Sequence, residues 1–476
     1  MGGRISNLMS VGRRAMMNSQ TGLHTVAHNI ANKETEGYSR QRTETYSNFP
    51  SGSGKMRIGM GARAATVRRI NNPYLEKQIA NEKSELATAE GRQQGMMRLE
   101  QIYNEQMVEG FNSNMTKFFN AFRELSTNPE SMPRRTMVKE SAQTLANDFH
   151  NINTQLNEVG ADINSQIQVS IHDLNSITNE IATLNSRVQE VELNGGWAND
   201  ERDRRDLLVK KLGEIIDVKW NEGEDSTITV STAKDALLVV GGQANTLEAV
   251  ATPAREGKSE GDYDIVFYHH EYAEPLVLTD RIEGGRLGGL LSVRPGELQG
   301  LKHDMDNLAY TIAKEVNSMH TQGFNSYNQT GVLFFEPLAE AQGASQYINV
   351  NSDIMVDAGR ISAGRDPNRP GDNRVAIEIA ELQYNKPIFG NSLTLDEFYN
   401  GLVGELGIKA QAANNNVEVQ TNIVGQLDNL RESISGVSLD EEAAKMIELQ
   451  KHFDASARLI RTADEVLETV INLKRY

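Results

Sequence analysis

The 476 residues contain no cysteine, which excludes disulfides, thiolate metal sites and cysteine nucleophiles. No apolar run approaches the roughly 18 residues that a membrane-spanning helix needs; Ala236–Val240 is among the longer ones. The N-terminus lacks the solid hydrophobic core of a cleaved secretory signal, because the apolar residues after Arg4 are interrupted. Met1, Gly2 and Ser6 fit a myristoylation pattern, but they open the helical stripe described below and are read as part of it. Excess positive charge is missing too. A net charge of -17 argues against a general nucleic-acid binder, which needs a cationic footprint. The acidic residues are spread along the chain without forming a tail, which favours solubility by self-repulsion.

Recognisable catalytic chemistry is equally sparse. His24 and His28 stand four apart without the intervening glutamate of a metalloprotease helix, and His269-His270 fall in a β segment with no cysteine nearby. Ser53-Gly54-Lys55 matches the end of a phosphate loop, but Met56 stands where the hydroxyl is required and no strand precedes it. Neither a nucleophile elbow nor a dinucleotide fingerprint occurs. No catalytic residue, cofactor site or metal site is therefore assigned, and an enzyme is not expected.

What the chain does have is a matched pair of ends. Met446, Leu449, Phe453, Ser456, Ile460, Ala463, Leu467 and Val470 recur at alternating steps of three and four, a heptad seam narrower than the apolar face of an ordinary globular helix. Ser438 and Glu441 have the spacing of a capping box, and Lys474 and Arg475 suit the negative end of the helix dipole. Ile5, Met9, Gly12, Met16, Ser19, Leu23, Val26 and Ile30 make the same alternation at the other terminus, ending before Gly37, which suits a left-handed conformation. Two readings stay open: the stripes pair as a coiled coil that serves assembly, or each end helix completes the protein's own core.

Between the ends, the length predicts two or more domains. Residues 38–70 read as an extended connector with short strands. Helical periods follow through Leu75, Ile79, Leu86, Met96, Leu99 and Ile102, through Phe111, Met115, Phe118, Phe122 and Leu125, and in a third segment after Pro133, whose part from Ile152 to Leu193 alone reaches about 60 Å. Asn194-Gly195-Gly196 closes the last. The runs TITV, ALLVV, YDIVFY and PLVL predict a small β-rich insertion. Gly284–Leu291 returns to helix, continued by Leu301, Met305, Leu308, Ile312 and Val316, and Phe398, Leu402, Leu406 and Ile408 restart it after an irregular stretch. The expected fold is mainly α: an elongated helical bundle with paired N- and C-terminal coiled-coil helices and an inserted β-rich domain. Its divisions are a terminal coiled-coil domain at 1–49 and 431–476, a helical bundle at 50–212 and 284–430, and a β-rich outer domain at 213–283. Residues 331–395 are irregular and either join the β domain or sheathe the bundle.

His28 and Asn29, Ile30, Ala31 and Asn32, then Thr35, Gly37, Tyr38, Ser39, Arg40 and Gln41, resemble the N-terminal signature of bacterial axial flagellar proteins, the Tyr-Ser-Arg-Gln part being similar to the hook-associated protein 1 branch. Glu441 to Ala444, Gln450, Ala455, Ile460, Ala463, Asp464 and Leu467 resemble its C-terminal half. Asn199-Asp200, Arg202-Asp203 and Arg205-Asp206-Leu207-Leu208 resemble an internal signature of that branch, and the glycine-leucine return at 284 is similar as well. Its alternating charges are read as salt-bridged or solvated.

The resemblance implies a structural adaptor at the hook–filament junction that is secreted unfolded by flagellar type III export and polymerises through its ends. It implies as partners other copies in a ring or helix, the hook protein, hook-associated protein 3 and an export chaperone on the C-terminal helix, with no nucleic acid or membrane. The assembly interface is then expected at Ile5, Met9, Met16, Leu23, Val26, Ile30, Met446, Leu449, Phe453, Ile460, Ala463, Leu467 and Val470. The competing reading is an extracellular carboxylate hydrolase, or a carbohydrate-binding module, on a coiled-coil stalk.

Overall fold

The computed structural model describes residues 2–50, 59–103, 110–232, 236–251, 262–268, 275–386 and 392–473. The Ser53–Lys55 stretch, His269-His270, and Lys474 with Arg475 lie outside them.

Helix α1 (Gly2–Ala31) is followed by an antiparallel hairpin, β1 (Gln41–Ser47) and β2 (Ala62–Arg69), which packs along it. The body begins at α2 (Pro73–Ile102), whose Asn72 side chain accepts from the first-turn amides and whose Pro73 occupies a position that needs no amide donor. Helix α3 (Phe111–Thr127) buries Phe111, Met115, Phe118, Phe122 and Leu125 against α4 (Met132–Leu193). The 62 residues of α4 form one continuous helix of roughly 90 Å. It begins beside the expected Pro133, and Val138, Ala142, Leu145 and Phe149 carry its buried stripe up to Ile152.

Helix α5 (Asn199–Ile215) leads into two antiparallel sheets. The first joins β3 (Val218–Glu222), β4 (Ile228–Thr232), β5 (Ala236–Val240) and β6 (Gln243–Ala244); the second joins β7 (Thr246–Ala251), β8 (Tyr263–Tyr268) and β9 (Leu276–Val277). Two buried or half-buried asparagines of α4 fasten them. Asn175 donates to the Leu247 carbonyl and accepts from its amide at 2.8 and 3.0 Å, and Asn185 does the same for Ile228 at 2.8 and 3.0 Å. Each amide thus stands in for a neighbouring strand. Ile228, Val230, Leu238, Leu247, Ile265 and Phe267 belong to one apolar core with α3 and α4. The β-rich insertion therefore shares the body's core and does not enclose its own. It starts at Val218, since α5 runs past the expected boundary at 213.

Helix α6 (Gly285–Ser292) lies so close to α2 that a Cβ on Gly289 would collide with the Thr88 carbonyl oxygen, and one on Gly288 would collide with the Glu283 carbonyl, which together explain that glycine pair. A π-helical turn holding Pro295 joins it to α7 (Gln299–His320) and absorbs the missing donor. Residues 331–386 pack on the helical body. Short helices α8 (Ala344–Tyr347), α9 (Ser352–Val356) and α10 (Arg374–Glu381) are present; α8 packs on α4 and α7, and α10 on α3 and α7. Among the described residues this stretch adds no strand to the inserted sheets. Asn317 of α7 draws it in by bonding both amides of Phe334 and Phe335 and the Phe335 carbonyl at 2.8 to 3.0 Å.

Helix α11 (Leu395–Ser435) packs on α2 and has the full capping box of Thr394 and Glu397. Ile408, expected on its buried face, is 73% exposed; Tyr399, Ala410 and Ala413 cover the face instead. Helix α12 (Leu439–Leu473) ends the described chain. The terminal division differs from the expected one at both edges: the hairpin carries it on to Arg69, and residue 431 lies inside α11.

Candidate assembly interface

The seams meet each other. A Cβ on Gly12 would stand 2.7 Å from Ile460 Cγ1, one on Gly22 would stand 3.0 Å from Leu449, and Asn29 bonds Glu442 at 3.0 Å. Rising numbers on α1 thus meet falling numbers on α12, and the pair is antiparallel. Gly12 and Gly22 lack side chains where the helices approach most closely.

Gly12 faces Ile460 and Gly22 faces Leu449 across this contact, and burial along the two stripes is uneven. Val26 and Ala463 are buried at 4% and 0% exposure. Ile5, Met9, Met16, Leu23 and Ile30, and Met446, Leu449, Phe453, Ile460, Leu467 and Val470, are only half-buried. A two-helix seam cannot close around large side chains from both flanks, so apolar surface remains open along it. Another side of α1 is taken by the hairpin, where Asn18 donates to the Ala62 carbonyl at 2.9 Å and accepts from the Ala64 amide at 2.6 Å.

The signature residues at the other end of the pair form a polar latch. Asn29 is fully buried and makes four bonds: its carbonyl oxygen accepts from the Tyr38 hydroxyl at 2.7 Å and the Gln41 amide at 2.9 Å, and its amide donates to the Gln41 carbonyl at 2.9 Å and to Glu442. Arg40 spans to Glu442 at 2.7 Å and Glu441 at 2.8 Å. The capping arm expected of Glu441 is thus spent on Arg40.

The internal signature closes the other side. The Ser39 amide donates to Asp203 at 2.9 Å, Gln41 Nε2 to Asp200 at 2.7 Å, and Arg69 pairs with Asp203 at 2.8 Å and Asp206 at 2.7 Å. Gly37 adopts φ +80° over Leu207. Arg431 of α11 holds the Gly37 and Tyr38 carbonyls, both at 3.2 Å, and shares Glu76 with Lys210. Burial works to raise the Glu76 carboxyl, but Lys210 and Arg431 outweigh it and hold the group below the usual carboxylate range. Burial, with Asp200, Asp203 and Glu442 nearby, drives the Tyr38 hydroxyl far above its ordinary value, so it remains a donor.

Asn29, Tyr38, Ser39 and Gln41 are buried, Ile30, Asn32, Gly37 and Arg40 half-buried, and Ala31 and Thr35 exposed. Thr35 nevertheless donates to Asn32 at 3.2 Å and so shapes the turn. Arg69, Glu76, Lys210 and Arg431 were invisible to sequence reasoning; isolated charges in unrelated helices and strands give no signal until the fold joins them. His28 turns to Tyr38 at 3.0 Å and Asp200 at 3.4 Å, while His24 is exposed.

A long helical body with both termini zipped together at one end, and a latch fixing that zipper to the body, defines a structural assembly subunit. The flagellar hook-associated protein FlgK helical domain matches residues 96–335, and the flagellar basal body rod FlgEFG protein C-terminal region matches residues 431–473. Flagellar hook-associated protein 1 of Bacillus subtilis is 29% identical, covering 98% of this chain and 97% of its own length. Its Escherichia coli counterpart is 24% identical over 99% and 100%. The flagellar hook junction protein FlgK of Burkholderia pseudomallei has the same fold, with a TM-score of 0.68 at 14% identity over 75% of this chain and all of its own. The chain belongs to the flagellar hook-associated protein FlgK family. It is a structural protein of the extracellular part of the bacterial flagellum, an adaptor at the hook–filament junction.

Proposed function

We propose that the α1–α12 pair is the polymerising element of this adaptor, with Ile5, Met9, Met16, Leu23, Val26, Ile30, Met446, Leu449, Phe453, Ile460, Ala463, Leu467 and Val470 as its zipper. The observation that carries this reading is the half-covered seam, whose open apolar flanks suit neighbouring helix pairs packed side by side in a tube. The signature residues Asn29 to Gln41 set the angle at which the zipper leaves the body. In the assembled flagellum the element meets further copies of the chain, the hook protein on one side and hook-associated protein 3 on the other. Before export an assembly chaperone covers the apolar face of α12. The role is mechanical and needs no metal, nucleotide or catalytic group.

Phe453→Asp tests it. The substitution sets a carboxylate in the half-buried seam and removes its largest side chain. Cells whose sole copy carries it are expected to export the protein, to bear hooks without filaments under the electron microscope, and not to swim. Normal filaments on such cells would exclude the seam as the assembly element.

A further inference from the structure

A groove of about 460 Å³ opens on the body, and no residue of α1, the hairpin or α12 lines it. Helix α2 supplies Asn81 and Glu85, β3 supplies Lys219 and Trp220, and Arg281 and Glu283 come from the segment before α6. Trp220 is half-buried, and Lys77 Nζ stands 5.9 Å from its ring centroid, within cation–π range. Lys77, Asn81 and Glu85 follow one another at steps of four, so one face of α2 runs along this ring. Asn81, Glu85, Lys219 and Arg281 are exposed, and among the described residues their side chains make no hydrogen bond or ion pair. Their donors and acceptors therefore serve neither the core nor the latch. The volume falls within the roughly 300–1,000 Å³ of small-ligand sites.

We propose that this groove binds a neutral saccharide, with one sugar ring against Trp220 and its hydroxyls bonded by Asn81, Glu85, Lys219 and Arg281. The charges select the class. Glu85, Asp217 and Glu283 stand against Lys219 and Arg281 around the groove, so an anion or a cation meets repulsion along with attraction, whereas a hydroxyl donates to the carboxylates and accepts from the cations. A sugar ring also presents an apolar C–H face, which suits an aromatic side chain in a concave site. The site is separate from the zipper, since all its residues lie on the body. It gives an adaptor held outside the cell a point of attachment to neutral glycan.

The chain has two tryptophans, Trp197 and Trp220, so Trp197→Phe leaves the emission of Trp220 as a direct report on the groove in the full chain. Titration with cellobiose, maltose, lactose and chitobiose as neutral probes is expected to give a saturable change for at least one of them, at millimolar concentration or below; digalacturonate and glucosamine are the charged controls. Asn81→Ala with Glu85→Ala, both on the exposed face of α2 where alanine favours the helix, should leave the thermal midpoint, filament number and swimming unchanged and weaken that binding by about tenfold or more. Trp220→Ala should abolish it by calorimetry; because Trp220 also packs against the core, the exposed pair decides the matter where that variant unfolds. No saturable response to any neutral probe overturns the proposal, as does a response that the Asn81 and Glu85 changes leave intact. Binding confined to the charged sugars overturns the neutral class and with it the proposal. Loss of filaments in the Asn81 and Glu85 variant would place these residues in assembly instead, which also overturns it.

Discussion

Asn29 uses its whole hydrogen-bonding capacity, two acceptor and two donor bonds, on partners 9, 12 and 413 residues away. Asn29→Ala leaves the Gln41 amide and carbonyl and one Glu442 oxygen short of a partner, while the Tyr38 hydroxyl keeps only His28, at an expected cost of about 2–4 kcal/mol at the latch. Faster hydrogen exchange at the Gln41 amide and quicker cleavage between residues 32 and 41 should report it, with the body unchanged. Asn29→Asp should be worse at neutral pH, since it sets a second carboxylate against Glu442, and should improve on acidification; no difference between the two variants would mean that the bond to Glu442 contributes little. The sequence shows this asparagine as part of a motif but not why it is needed, because its role exists only once two ends of the chain meet.

His320 is the other residue whose chemistry the fold creates. It is fully buried with Nδ1 against the Val332 carbonyl at 2.7 Å, and Nε2 accepts the Ser362 amide at 2.8 Å, so the ring has no room for a second proton. Burial brings it down to about 4 from 6.5. Above pH 6.5 both folded and unfolded forms are neutral and its contribution is complete; between 6.5 and 4 only the unfolded chain takes a proton, so stability falls by roughly 3 kcal/mol in all. Urea unfolding at pH 7, 5.5 and 4 should show that slope, and His320→Gln should lower stability at pH 7 yet flatten this part of the profile. An unchanged slope in the variant would assign the pH dependence to carboxylates elsewhere.

At the scale of elements, the pairing of the end helices was legible because a sustained three-and-four alternation at both termini marks matching stripes, and α1 packs against α12 with Gly12 at Ile460 and Gly22 at Leu449. The start of α4 was legible from Pro133, although Ala142 and Ala146 in its early turns, both fully buried, leave the periodic signal weaker there than beyond Ile152. Residues 331–386 were not legible, since short helices pinned by scattered side chains such as His150, Asp306 and His320 leave no period. Strands β3 and β7 were faint because Val218–Glu222 and Thr246–Ala251 hold few apolar residues and gain their partners from the sheet. Gly22, which reads as a helix weakener, proves to be a contact point. Gly22→Val adds bulk 3.0 Å from Leu449 and should loosen the pair by about 1–3 kcal/mol despite the better helix propensity. Protease should then trim α1 sooner than in the parent, and a more resistant α1 would show that propensity outweighs packing there.

At the scale of the whole molecule, the apolar core runs from Met96 to Ala413 without one residue of α1 or α12. The end helices touch the body through the hairpin and a polar latch, which fixes direction and buries little apolar area. Local stability therefore divides: the body can hold while the ends open. A protein lacking 1–31 and 439–476 should keep the thermal midpoint of the body within about 3 °C, a shift equivalent to roughly 2–3 kcal/mol for a body of about 400 residues. Its helical signal should fall by the share of the 30 and 35 residues of the two helices. The same deletion should abolish filament attachment completely, because the half-covered seam is gone while every buried side chain of the body remains. An aggregated or molten body would show instead that the end helices complete the protein's own core, and the separation of a rigid spacer from a polymerising end would have to be given up.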